Sequence, residues 1–306
     1  MRCSPPHELM IAGGAHRLWR SRGCEASVLA MLKSLLAACL LLLVAVPAQA
    51  AIGDWSQGDH VRLRLVASRA VDGKIDGVVQ LELDPGWKTY WRSPGDAGIP
   101  PRLDFGGSVN ASGVQVDFPA PERSDDGFAA TNVYHDRVAL PFRVAESAVG
   151  QPVRLELAAD LGVCEAICVP VSLTASLDIP AAESDGDAAE LVAEARAAIP
   201  GPGRPGRFEI LSLRRAGGSD KLPVFEAAVQ VPPGDALLFV ETPSDWYAAP
   251  PESSGATGSG ATLFRFEVDR KSATSALDGA EIRLTLRGGD ASAERTFRLD
   301  ASGSAP

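Results

Sequence analysis

Polar and apolar residues alternate with period two along most of the chain. The stretches His60–Leu65, Val79–Leu83 and Val153–Leu157 each send one set of side chains to a core and the other to water. Turn signals separate such runs: Asp72-Gly73, Asp84-Pro85-Gly86, Ser93-Pro94-Gly95-Asp96 and Phe105-Gly106-Gly107. Short strands at this spacing predict an antiparallel β-sandwich over about residues 51–180. Composition then shifts. Ala182–Gly186 reads as a linker, and Asp187, with Glu190 as its partner, caps a short helix. Leu191, Ala195 and Ile199 fall on one face of that helix, and the Pro/Gly run 200–206 stops it. Residues 181–206 therefore form a connector. From Arg207 the strand pattern returns, with candidates at Phe208–Leu213, Val224–Val231, Leu237–Glu241, Leu263–Val268, Ile282–Leu286 and Thr296–Leu299. The expected fold is all-β: a sandwich, a short connecting helix, and a second sandwich-like β domain over 207–306. Ser253–Gly260 reads as a flexible loop.

The beginning of the chain follows another pattern. Lys33 precedes an apolar run from Leu35 to Val46, and Ala48-Gln49-Ala50 ends it with small-x-small spacing. This is an export signal, with Met31 the more ordinary start and cleavage expected after Ala50. The lipoprotein-like Leu36-Ala37-Ala38-Cys39 has too little apolar sequence before it to be preferred. The run is short for a membrane span and no second one follows, so the mature chain is expected to be exported, periplasmic and not inserted in a membrane. The full chain carries a net charge of −10, and losing residues 1–50 makes it more acidic. That argues against nucleic acid or anionic lipid as partner.

Export also reduces the cysteines. Cys3, Cys24 and Cys39 lie in or before the signal, which leaves Cys164 and Cys168. In an extended strand, residues four apart are ~13 Å apart, beyond the roughly 4.4–6.8 Å between disulfide-linked Cα atoms. A hairpin with Glu165-Ala166-Ile167 as its loop would place the two opposite each other. The ring would be small and contribute about 2 kcal/mol at most. That weak return is an argument for redox use, while a structural staple is the commoner fate of secreted cysteine pairs. From spacing alone both readings stay open. A metal site is a weaker reading, because the mature chain offers only His60 and His135 as further soft ligands and no methionine. No phosphate loop, nucleophile elbow or flavin or nicotinamide motif is present, and no cofactor is expected.

Four blocks in order carry a family resemblance. They are Gly86–Asp96 (containing Trp87, Tyr90 and Trp91), Asp125-Asp126-Gly127-Phe128, Val133–Pro141 (containing Tyr134 and His135), and Cys164-x-x-x-Cys168-Val169-Pro170. Together they resemble the N-terminal periplasmic domain of DsbD-type protein-disulfide reductases, the first and last the ScsB-like branch. The resemblance implies an immunoglobulin-like sandwich that passes electrons by thiol–disulfide exchange between a membrane-embedded DsbD/ScsB-like donor and periplasmic thioredoxin-fold proteins. It implies that Cys168 forms the mixed disulfide and Cys164 resolves it. It also implies a cap loop, Asp125–Asn132, with Phe128 as the shielding aromatic, and Tyr90, Trp91 and Tyr134 lining the site. Trp87 and Trp91 read equally well as core aromatics. The cysteine spacing is shorter than in other DsbD-type domains. The family's membrane and thioredoxin-like domains are not in this sequence, so any donor is expected to be a separate polypeptide. Two alternatives remain beside the relay: an adaptor module with a structural disulfide, and a thiol-based copper-handling protein.

Overall fold

The computed structural model describes residues 52–70, 74–125, 127–181 and 186–305. The stretch expected to be an export signal, the expected turn at Asp72-Gly73, most of the 182–186 linker and Asp126 lie outside them. The first β region is two antiparallel sheets face to face. One holds β1 (Ser56–Gln57), β2 (Val61–Arg69), β3 (Lys74–Leu83), β9 (Arg137–Glu146) and β6 (Ala111–Val116), in that spatial order. The other runs β11 (Cys168–Ile179), β10 (Val153–Cys164), β4 (Lys88–Gly95), β8 (Ala130–His135) and β7 (Glu122–Asp125), with β5 (Arg102–Asp104) also on β10. Alternate residues meet between the sheets: Leu63 and Leu65 of β2, Val79 and Leu81 of β3, Leu140 and Phe142 of β9, and Leu155, Leu157 and Leu161 of β10.

Helix α1 (Gly186–Ala197) covers the outer face of the first sheet. Its buried residues are Ala188, Val192 and Ala195, packed on Val66 and Val78. The expected face of Leu191, Ala195 and Ile199 is thus turned: Leu191 is half-buried and Ile199 lies beyond the helix end. Small Ala188 lets the helix approach the sheet closely. Val66 and Val78 are the outward residues of their strands, which is why β2 and β3 lose alternation just there.

The second β region has two smaller sheets. β12 (Glu209–Gly218), β13 (Pro223–Gln230), β17 (Thr262–Asp269) and β15 (Tyr247–Ala248) form one, with β16 (Glu252–Ala256) also on β17. β14 (Leu237–Glu241), β18 (Glu281–Gly288) and β19 (Ala291–Arg298) form the other. The expected loop at Ser253–Gly260 is instead the end of β16 and its turn into β17. All five β16 residues are exposed, so this edge strand shows no apolar period. Phe239 of β14 crosses into the first core and meets Trp91 edge-on, ring centroids 5.8 Å apart. Beside it Arg92 donates two hydrogen bonds to Glu241, at 2.8 and 2.7 Å, and one to Glu294 at 2.6 Å. Burial by itself would lower the pKa of Arg92, but Glu241 and then Glu294 more than offset it and hold it above its ordinary value.

Candidate functional site

β10 and β11 form one hairpin with twelve consecutive cross-strand pairs, the last being Cys164 opposite Cys168. Glu165-Ala166-Ile167 makes the loop, and Glu165 N donates to Ile167 O at 3.1 Å. The Cα atoms of the cysteines are 4.1 Å apart and their sulfurs are joined. Alternation decides which way the bond faces. Val153 through Val163, at odd positions, point into the sandwich. Cys164 is even, so the disulfide lies on the outer face of the sheet, in a small cluster with Tyr90 and Val133.

The two sulfurs are not equivalent. Cys164 is 1% exposed, whereas Cys168, at the start of the edge strand β11, is exposed. The Tyr90 hydroxyl lies 3.1 Å from Cys164 Sγ and 3.2 Å from Cys168 Sγ. Disulfide sulfurs carry no proton, so the hydroxyl donates. The ring is seated by two glycines. A Cβ on Gly162 would come within 3.0 Å of Tyr90 Cδ2, and one on Gly98, where φ is +126°, within 2.3 Å of Cε1. Thr89 Oγ1 donates to Gly162 O at 2.9 Å and fixes β4 against β10. Apolar side chains are left in water here: Ile167 (70% exposed), which precedes Cys168, and Ile99 (41%), which lies against Gly162.

The other expected site residues separate by face. Trp91 follows Tyr90 in the strand and therefore points the opposite way, fully buried in the core against Phe239. Tyr134 does the same beside Val133: it is a core residue whose hydroxyl donates to Pro119 O at 2.7 Å. Burial raises its pKa well above the ordinary tyrosine value. Neither lines the disulfide, because β4 and β8 bury both faces and adjacent residues serve different neighbours. Asp125 ends β7, with its Oδ1 accepting from Gly127 N at 2.8 Å. Phe128 is in the turn to β8 and is 99% exposed, so in this conformation it shields nothing. The turn is short and pinned: Asp125 pairs with Ala130, and Ala130 N donates to Asp96 Oδ2 at 3.0 Å. Trp87 is half-buried and stacks on His60, centroids 3.7 Å apart.

Sequence reasoning missed Gly98, Gly162 and Ile99. Gly162 did carry a signal, since a glycine inside a strand marks a close approach. When reduced, the two thiolates offer a soft ligand pair. Among the described residues no group of three or more His, Cys, Asp or Glu stands together for a metal, and no helix there is long and apolar enough to cross a membrane.

Residues 62–178 match the family model of the N-terminal region of the thiol:disulfide interchange protein DsbD. The solved N-terminal periplasmic domain of ScsB from Proteus mirabilis shares the fold: TM-score 0.68, 19% identity, covering 82% of this chain and 99% of that one. Among curated proteins no sequence match is found.

Proposed function

We propose that this protein relays electrons by thiol–disulfide exchange through Cys164 and Cys168, outside the cytoplasm, with thioredoxin-like partners, a reading supported by the match of residues 62–178 to the DsbD N-terminal family model. The observation that carries this reading is the asymmetric pair, with one sulfur exposed and the other buried under a tyrosine hydroxyl. In the oxidised protein a partner thiolate attacks Cys168 Sγ. The Cys164–Cys168 bond breaks, and Cys164 leaves as a thiolate that accepts a hydrogen bond from Tyr90 and then a proton. The partner's second thiolate attacks the mixed disulfide at the partner's own sulfur and releases Cys168. Two electrons have moved to this protein and the partner holds the disulfide. The reverse sequence reduces the next partner, with Cys168 attacking and Cys164 resolving.

Attack at Cys168 follows from access, since exchange requires the attacking, central and leaving sulfurs to approach in line. A purely structural bond is less well supported, because the twelve-pair ladder already holds the hairpin along its whole length. The deciding measurement is the reduction potential of the pair, by equilibration with glutathione. A value above about −300 mV is expected for exchange, and one well below it would make the bond a staple. For the polarity, Cys164→Ala should accumulate a mixed disulfide with a thioredoxin-fold protein on non-reducing gels and Cys168→Ala should not. More capture by Cys168→Ala would reverse the assignment.

A further inference from the structure

Arg92 and Arg123 leave the same sheet and reach the same junction with the second β region, yet only one of them is neutralised. Arg92 holds two carboxylates. Arg123, on β7, spends its Nη2 on Leu238 O at 3.0 Å and lays its guanidinium over Phe239, 5.0 Å from the ring centroid. Its Nε is buried with no partner among the described residues. Asp96 and Asp125 act on it only through space: Asp96 accepts from Ala130 N and the Tyr247 hydroxyl, and Asp125 from Gly127 N. Burial lowers the pKa of Arg123, and the opposing charges of Asp96 and Asp125 do not restore it. A cation desolvated without an ion pair is costly; the Nε has no open surface, so a ligand beside Arg123 would meet the outer guanidinium nitrogens.

Arg123 also borders open space. A cavity of about 160 Å³ lies at this junction, lined among others by Ser93, Arg123, Asn132, Thr242, Trp246 and Tyr247. Its other polar groups are partly committed: Asn132 Nδ2 donates to Ser93 O at 2.8 Å and Thr242 Oγ1 to Trp246 O at 3.2 Å. Arg123 is the only cation in the lining. We propose that this cavity binds a small carboxylate, held by the Arg123 guanidinium with its short apolar tail against Trp246 and the neighbouring prolines. The class follows from shape. A planar guanidinium matches a carboxylate, the indole and prolines suit a few methylenes, and the volume is below the roughly 300–1,000 Å³ of sites for larger ligands. A single water, which occupies ~30 Å³, would not fill it. The site is separate from the cysteine pair, and its lining comes from both β regions, so occupancy would tie them together.

Calorimetric titration of the full chain with acetate and propionate, at fixed ionic strength, tests this. Acetamide serves as the uncharged isostere and sulfate as the competing anion class. Saturable one-site binding of propionate is expected, with acetamide at least about tenfold weaker. Arg123→Met should weaken propionate by at least about tenfold, and Arg123→Lys by less. Circular dichroism checks each variant's fold. If Arg123→Met does not fold, the propionate–acetamide comparison on the unaltered chain decides. No saturable heat with either carboxylate, equal binding of acetamide, or unchanged binding by a folded Arg123→Met would overturn the site. Tighter binding of sulfate than of propionate would overturn the assigned class.

Discussion

Tyr90 brings one hydroxyl to both sulfurs, and its value changes with redox state. A hydrogen bond to a thiolate is roughly twice as strong as one to a neutral acceptor. Tyr90 therefore stabilises the reduced, ionised form more than the disulfide. Tyr90→Phe should lower the potential of the pair by up to about 30 mV and slow exchange at neutral pH by up to about tenfold, since 1.4 kcal/mol corresponds to both figures. Potentiometry and stopped-flow exchange with a small dithiol would check this, and a raised potential would contradict the hydroxyl's role. Phe128→Ala, by contrast, should change the alkylation rate of Cys168 by less than about twofold, because Phe128 is already 99% exposed. A large acceleration would mean that the turn closes over the pair in solution. The cysteines were legible in the sequence because Cys3, Cys24 and Cys39 lie in or before the stretch expected to be an export signal, which left only Cys164 and Cys168 as candidates. The split between Tyr90 and Trp91 was not, since a strand buried on both faces hides which neighbour each residue serves.

Elements were legible where one face is wet. Leu237–Glu241 has the bounds expected for it; β17 and β18 run one or two residues past theirs, while Phe208, Val231 and Leu299 fall just outside β12, β13 and β19, which extend further at their other ends. β16 was invisible because its pairing is made by backbone and its side chains are small and exposed. Helix α1 is where the sequence places it, and Ala195 and Leu191 do pack on the sheet, but the buried face is centred on Ala188, Val192 and Ala195, and Ile199 lies beyond the helix end. The helix is also tied by charge. Arg196 donates to Asp76 at 2.6 Å, and Arg143 donates to the same carboxylate at 2.7 Å. Burial would raise the pKa of Asp76, but Arg143 and Arg196 outweigh it and the net shift is downward. A lowered folded-state pKa contributes stability that is present above the unfolded value, near 3.9, and is lost as pH falls through the folded one. Hydrogen exchange should show α1 amides losing protection below about pH 4 before the strands do. Simultaneous loss everywhere would remove Asp76 from the account.

At the scale of the molecule, the two β regions share a core residue and a charge cluster. Arg92→Met would leave Glu241 in a half-buried seam without its cation and Glu294 with only Arg283, 3.7 Å away, at a cost of roughly 3 kcal/mol. Denaturant unfolding should show a lower midpoint and, in the unaltered protein, one transition reported alike by probes in both regions. Two separable transitions would mean that Phe239 and Arg92 do not couple them. None of this seam was legible, because Arg92, Glu241 and Glu294 are far apart in sequence and each looks like a surface charge. The small ring at Cys164 and Cys168 has a consequence of its own. Whatever stability a disulfide adds to a fold appears, with opposite sign, in its readiness to accept electrons. A ring closing over so few residues can add only about 2 kcal/mol, so folding can depress the potential through it by no more than about 40 mV. The hairpin can thus be emptied and refilled with electrons while the rest of the protein stays nearly indifferent to its charge state.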